Sequence, residues 1–522
     1  MSVETTPVAD RCGRLLALSS TRGARLSCAL MCAAAFGGLL SQPARAELPP
    51  IKHVFVIVLE NHAESETFGA GSKAPYLATN LKEAGMFIPN YYGIGHSSLD
   101  NYIAMISGQA PNEATRADCG IFSAIPGEPP LVQGQEPSSG CIYPNNVPVL
   151  TQQLEAKGLK WRSYDESMGS EVGRETATCG HPAIGAVDNT QGATATDQYA
   201  TRHDPFMYFN SIIGHPELCN EHVVNLNKLP ADLAEESKTA NYSFITPDLC
   251  DDGHEATCED GVRKGGLEGI NHFLFEWVPK IEASAAFKKD GLLIITFDEG
   301  EGESTSCCGE TAGPGAPLPG GNGPGGGKVG AVLLSPSIKP GTESPDSYNH
   351  YSMLASVEAI FGLSRLGCAA NATPFGSDVF TENPSYSLGA AESTTPCYIA
   401  PPVQTQPKET TPAPVAKSTT PAPVCVASVL PRNPKGKLKP SKVFTGVAVE
   451  HSGNVASLSL TAVHAGRLKV VAYPKKGRAR TLASSRKIAV CTPYSFKLPP
   501  GHGRLTIVAT VGRASQTATL KY

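Results

Sequence analysis

The chain has 522 residues, with 43 Lys and Arg against 48 Asp and Glu, 41% hydrophobic residues, 52 Gly, 43 Pro and 15 Cys. That is enough chain for more than one core, and no specific nucleic-acid partner is expected. The small net charge hides a division: from Cys425 onward 17 Lys and Arg face the single acid Glu450, whereas residues 47–424 carry 45 acids against 21 basic side chains.

In chain order, Arg11, Arg14, Arg22 and Arg25 precede the apolar stretch Leu26 to Leu40, which is followed by Ala44-Arg45-Ala46. Basic region, short apolar core and small-x-small site are the order of an export signal, so residues 1–46 are expected to be removed and the mature chain to start near Glu47. Fifteen apolar residues with two glycines fall short of the roughly 20 that a membrane span needs. Twelve cysteines remain after the signal, an even number that predicts disulfides in an exported protein. Proximity suggests Cys119 with Cys141 and Cys250 with Cys258, and Cys425 with Cys491 are the two beyond the linker. A zinc-thiolate cluster finds only adjacent Cys307-Cys308 and no CxxC, which argues against it.

Residues 47–399 alternate strand and helix patterns. Ile51 to Leu59, Leu292 to Phe297 and Val329 to Leu334 are apolar runs expected of strands buried on both faces. Tyr76 to Ala84, Asn101 to Ile106, Leu267 to Ile281 and Tyr351 to Phe361 read as helices. The expectation is an α/β sandwich with a mostly parallel central sheet, which places its site at the carboxyl ends of the strands. Residues 400–424 repeat TTPAPV and read as an extended spacer. Residues 425–522 alternate short β-type runs with turns, as a small all-β immunoglobulin-like sandwich would. Its basic side chains suit an anionic envelope polymer, an anionic membrane surface or nucleic acid held by nonspecific electrostatics; docking on the acidic domain or simple solubility is the alternative.

The first strand ends Leu59-Glu60-Asn61-His62 and a later one Phe297-Asp298-Glu299-Gly300-Glu301. Carboxylates converging from neighbouring strand ends repel unless a cation separates them, and hard oxygen ligands suit a divalent metal. Capping of the following loops is the plainer use of such acids. Between the two lies GHSSLDNYIAMISG, a helix opening at serine and closing at glycine, which puts Ser98 at a helix N-terminus where an alkoxide or phosphate is favoured. Two segments carry less. Gly325-Gly326-Gly327-Lys328 lacks the Ser or Thr of a phosphate-cradling loop and precedes a strand, so Thr311 to Gly327 reads as a flexible lid or surface loop. Phe206, Tyr208 and Phe209 suit core packing better than a lipid or inositol pocket.

The blocks VIVLENH, GHSSLDNYIAMISG, RHDPFMYF, YSFITPDLCDDGH, ITFDEGEGE and NHYSMLASVEAIFGL follow in order the motifs of the bacterial phosphoesterase family of acid phosphatases and phospholipases C. The chain resembles that family, within the alkaline phosphatase superfamily, from Lys52 to Leu363. RHDPFMYF makes it most similar to secreted acid phosphatases of the phosphatidylinositol 3-phosphate phosphatase type. The resemblance implies an alkaline-phosphatase-like fold, one or two divalent metal ions, and a monomeric enzyme acting on a phosphate-ester substrate.

Carried over by position, Glu60, Asn61, Asp298 and Glu299 are metal ligands and Ser98 the nucleophile that forms a phosphoserine. Asp252 and His350 belong to the metal set, with Asp248 or Asp251 as alternatives to Asp252. Asn101 and Asp204 are placed at the substrate, and His203 or His254 at the leaving group. Ser97 and Asp100 stand where the family has prolines, which leaves Ser97 as a competitor for the nucleophile. A phospholipase C acting on phosphodiester lipids and an inactive envelope-binding protein are the alternatives; the formylglycine precursor Cys-x-Pro-x-Arg of sulfatases is absent.

Overall fold

The computed structural model describes residues 51–380 and 388–399 and, beyond them, the strands that run between 444 and 521. The export segment 1–46, the spacer 400–424 and the Cys425–Cys491 pair lie outside the described residues. The chain divides into two compact units, 1–403 and 404–522.

The first unit is built on an eight-stranded sheet. Its strands are β1 (His53–Leu59), β2 (Met86–Ile88), β4 (Trp161–Asp165), β5 (Val223–Asn225), β6 (Tyr242–Thr246), β7 (Gly291–Phe297), β8 (Ala331–Leu334) and β9 (Thr342–Glu343), in the order β5-β4-β6-β1-β7-β8-β2-β9. The short β3 (Tyr91–Tyr92) pairs separately with β10 (Tyr348–Asn349). Only β8 runs against its neighbours, so the sheet is mostly parallel, as the apolar strands predicted. Every residue of HVFVIVL and GLLIITF is buried, because strands in the middle of a parallel sheet are covered on both faces. β4 and β6 escaped the sequence reading: WRSYD and YSFIT carry polar residues that are nonetheless buried.

Three long helices accompany the sheet: α1 (Ser98–Ser107), α2 (Gly266–Ala283) and α3 (His350–Ile360). All ten residues of α1 are buried, since it packs against α3, and its C-terminus closes on left-handed Gly108 (φ 66°), whose amide bonds back to Ala104. The segment expected as a helix over 76–84 opens as a π-helical turn, Tyr76–Leu81, before Lys82–Ala84 continues as α. Its first amide is given to Asn271 Oδ1 at 2.8 Å, tying it to α2.

Five disulfides hold the described residues: Cys119–Cys141, Cys179–Cys219, Cys250–Cys258, Cys307–Cys308 and Cys368–Cys397. Two are the pairs that proximity suggested, and the adjacent Cys307-Cys308 is bonded within itself. The glycines of 311–327 are anchored: Gly93 donates to Gly327 O at 2.9 Å, Gly300 to Gly326 O at 2.8 Å. Phe206, Tyr208 and Phe209 are core residues, fully buried. No described helix is long and apolar enough to cross a membrane.

In the second unit the described backbone forms two antiparallel sheets. One contains 444–452, 455–462 and 493–497, the other 466–474, 480–488, 503–511 and 514–521.

Candidate active site

Parallel register decides where the site lies. β1 and β7 pair residue for residue from His53↔Gly291 to Leu59↔Phe297, so Glu60-Asn61 and Asp298-Glu299 leave the sheet side by side. Asp298 N donates to Leu59 O at 2.9 Å, extending the ladder by one bond. β6, on the other side of β1, leads into the loop that carries Asp252, whose carbonyl accepts from Glu60 N at 2.8 Å. Asn61 turns the chain in the left-handed region (φ 59°), which Asn tolerates better than most residues, and its amide donates to Asp298 Oδ1 at 3.1 Å.

Onto this strand edge α1 brings Ser98 in its first turn. Ser98 Oγ donates to Glu60 Oε2 at 2.8 Å. The same Glu60 oxygen lies 3.3 Å from His203 Nε2, and His203 Nδ1 lies 3.1 Å from Asp252 Oδ2. Tyr102, one turn along α1 from Ser98, stacks on His203 with ring centroids 5.3 Å apart and planes 6° from parallel. Ser97 faces elsewhere, its Oγ donating to Arg116 O at 2.9 Å, so Ser98 is the serine turned toward the carboxylates.

Burial governs the electrostatics. It pushes Glu60 well above the usual carboxylate range, with Asp298 and Asp252 adding repulsion, and raises Asp252 as well. Asp298 is pushed up to about 8 by burial and then by Glu299. Burial likewise drives His203 well below its ordinary value, with Arg202 and His254 adding to the shift. Glu60 Oε1 and Asp298 Oδ2 are buried without a hydrogen-bond partner, and Glu60, His203 and Asp252 offer ligand atoms within 4.8 Å of one another. Orphaned carboxylate oxygens beside a neutral imidazole fit a divalent cation: its charge would hold these acids ionised, and its coordination would satisfy the unpaired oxygens.

Several residues expected at the site do other work. His350 has both ring nitrogens engaged, Nε2 with Asp298 O at 2.7 Å and Nδ1 with Tyr91 OH at 3.2 Å, and so props the end of β7. Glu299 pairs through Oε2 with His96 Nδ1, while His96 Nε2 bonds the Glu303 carbonyl. Asn101 spends its whole amide on the preceding loop: Oδ1 accepts from Ile94 and Gly95, and Nδ2 donates to Gly95 O and Ser97 O. It shapes the nucleophile loop and has no hydrogen left for a phosphate.

Asp204 is fully buried, its Oδ1 accepting from Phe206 N at 3.1 Å, and burial pushes its carboxyl up to about 8; it caps the short turn Pro205–Tyr208. His254 accepts from Arg202 at Nε2 (3.1 Å) and lies 3.3 Å from Glu255 at Nδ1; burial and then Arg202 lower it to about 4. With Nε2 accepting from Arg202, the ring proton of neutral His254 sits on Nδ1 and faces Glu255.

His203 moves from a leaving-group donor to a member of the carboxylate cage. Asp248 and Asp251, the alternatives to Asp252, both lie against Arg263, at 3.0 and 2.8 Å. Arg202 was missed. It is 3% exposed and sits beside His203 in RHDPFMYF, and the signal available was a basic residue opening a polar triplet that runs directly into an apolar stretch.

The Phosphoesterase family profile matches residues 71–364, which include Ser98, His203, Asp252, Asp298 and His350. The chain belongs to the phosphoesterase family. Glu60 and Asn61 lie upstream of the matched residues and join the site through the β1–β7 register. A probable acid phosphatase of Kluyveromyces lactis is 25% identical over 320 residues, covering 60% of this chain and 59% of the relative. An acid phosphatase of Aspergillus fumigatus is 24% identical, covering 61% and 57%. The chain thus spans under two thirds of the length of these fungal relatives. A phosphatidylinositol-3-phosphatase of Mycobacterium tuberculosis is 24% identical, covering 63% of this chain and 84% of the relative. Among solved structures, an alkaline phosphatase superfamily protein from Vibrio parahaemolyticus aligns at 10% identity with a TM-score of 0.36, covering 62% of this chain and 69% of that one.

Proposed function

We propose that this protein is a secreted, metal-dependent phosphoesterase that releases phosphate from monoesters through a phosphoserine at Ser98. The observation that carries the reading is the 2.8 Å bond from Ser98 Oγ to Glu60 Oε2, within a buried set that also includes His203, Asp252 and Asp298. Ser98 is the serine that this site holds against a carboxylate among the described residues, and family membership supports phosphoester chemistry for it. The acid phosphatases and the phosphatidylinositol-3-phosphatase among its relatives support a monoester substrate, with an inositol lipid phosphate as the specific candidate.

Glu60 orients the Ser98 hydroxyl, and Glu60 with Asp252 fixes the imidazole of His203 from two sides. Tyr102 holds that ring flat. Glu60, Asp252, His203 and Asp298 would hold a divalent cation, with Asn61 and Glu299 at its margin; when bound, it supplies charge that eases ionisation of the serine and offsets charge on the phosphoryl oxygens. Attack of Ser98 Oγ on phosphorus releases the alcohol, and water then cleaves the phosphoserine, restoring the hydroxyl and freeing phosphate. Burial of Ser98 (4% exposed) limits competing solvent until substrate enters.

Secretion is supported by five disulfides among the described residues, which persist in oxidising compartments. We extend the proposal to the second unit as a basic β-sandwich that holds the enzyme at an anionic envelope or membrane surface. The test of the central reading is phosphate release from p-nitrophenyl phosphate by the wild type and Ser98→Ala. Full activity in the variant would remove Ser98 from its role; release of phosphocholine in place of phosphate from a choline lipid would favour a phospholipase C.

A further inference from the structure

We infer that Arg202 is the specificity-determining residue of the Ser98 site: its guanidinium takes the doubly charged end of a phosphate monoester, so that monoesters are hydrolysed in preference to diesters. The inference rests on the phosphoester reading of Ser98 and sharpens its substrate class.

Arg202 is buried, yet no described carboxylate oxygen lies within 4.0 Å of its nitrogens. Its side-chain partner is His254 Nε2 at 3.1 Å, an uncharged acceptor, and its Nη1 is buried with no partner at all. Three other arginines of this domain are neutralised directly, whereas Arg116 bonds the neutral Asn322. Arg162 lies 2.7 Å from Asp232, Arg174 2.5 Å from Asp197 and Arg263 2.8 Å from Asp251. A guanidinium does not lose its proton, so an unpaired one in the interior is costly unless an anion completes it.

The anion is defined by what surrounds Arg202. Its charge reaches Glu60, Asp252, Asp118 and Glu299 without contacting any of them. Its chain neighbour His203 touches the same Glu60 oxygen that holds Ser98 Oγ, and its partner His254 follows Asp252, whose Oδ1 accepts the His254 amide at 2.7 Å. The guanidinium is therefore fixed to both segments flanking the nucleophile, with a free N–H edge. That planar edge matches two oxygens of a phosphoryl group. A monoester near neutral pH presents three non-bridging oxygens and two charges, and a diester two oxygens and one charge, so a buried unpaired cation discriminates between them by charge.

The test compares p-nitrophenyl phosphate with bis(p-nitrophenyl) phosphate for the full chain as wild type, Arg202→Gln and Arg202→Lys, with circular dichroism as the folding control. Wild type is expected to favour the monoester at least about 100-fold in kcat/KM. Arg202→Gln is expected to lose about 100-fold to 1,000-fold on the monoester and under about tenfold on the diester, the scale of removing one donor to a reacting oxyanion. Arg202→Lys should fall between. Inorganic phosphate should inhibit the wild type far more strongly than dimethyl phosphate.

Equal losses on both substrates, a wild-type preference for the diester, or equal inhibition by the two phosphates would overturn the inference and leave the Ser98 assignment standing. Wild type inactive on both substrates would instead remove the phosphoester reading beneath it. Should Arg202→Gln fail to fold, the lysine variant and the wild-type inhibition decide.

Discussion

Two acid-rich clusters hang from the loop that follows β6, a few residues apart. In one, Asp248, Asp251 and Asp260 gather around Arg263 at 3.0, 2.8 and 2.7 Å, and Glu166 accepts the Asp248 amide at 3.0 Å. In the other, Asp252 joins Glu60, His203 and Asp298, and among the described residues no Lys or Arg lies in direct contact with these carboxylates. Asp248, Asp251 and the second cluster are buried, while Arg263 and Asp260 are partly exposed; burial and then Asp248 raise Asp251 to about 6 against Arg263, whereas Asp298 reaches about 8. Cys250, beside the first cluster, is bonded to Cys258 and offers no thiolate. An acid cluster that encloses its own guanidinium is finished as structure; one that leaves carboxylate oxygens orphaned is built for a charge from outside.

That contrast can be broken by experiment, starting where the expected effect is largest. Ser98→Ala should lower phosphate release by at least about a thousandfold, as loss of a covalent nucleophile does, with circular dichroism unchanged. Asp252→Asn should lower activity about 100-fold and reduce bound divalent metal measured by elemental analysis, because it removes a charge the cage uses. Chelation of the wild type should abolish turnover and lower its melting temperature, and re-addition of metal should restore both. Arg263→Met acts on the other cluster. It should cost about 2 kcal/mol in denaturant unfolding, less than a fully buried pair because the guanidinium is a third exposed, while kcat of the folded fraction stays near wild type. A large fall in kcat with little loss of stability would erase the distinction between the clusters.

The smallest effect is one of pH. Burial raises Glu358 in α3 to about 8, against its bond from the Leu366 amide and the nearby Arg365. A carboxyl whose folded value lies above its unfolded one favours the fold at low pH. Its contribution is fully present below about 4.5 and is lost as pH rises toward 8. Glu358→Gln should therefore flatten the decline in stability between pH 5 and 8 by on the order of 1 kcal/mol, read from melting curves across that range.

The sequence made the frame of the site legible because its signals are local. Apolar β-branched runs announced β1 and β7, and the charges ending them are adjacent in chain, so the β1–β7 register had only to bring them level. Ser98 was recognisable by its helix and the family motif. What the sequence did not show is which polar atoms are spent internally. Asn101, Asp204, His254 and His350 carry suitable groups, yet their partners are backbone atoms or side chains up to 259 residues distant in the chain, as with His350 and Tyr91. Arg202 has the opposite profile: its importance lies in a carboxylate it does not meet, which is a property of packing alone. β4 and β6 were obscured for a similar reason, since Ser163, Asp165 and Ser243 are polar in sequence and buried in the fold.

The most direct test of the account is to quench the wild type in acid during turnover of p-nitrophenyl phosphate and map phosphorylated peptides by mass spectrometry. The account predicts one phosphoryl group on Ser98, absent in Ser98→Ala. Sustained phosphate release with the label on Ser97, or on no serine of the 96–107 segment in an acid-stable form, would contradict it.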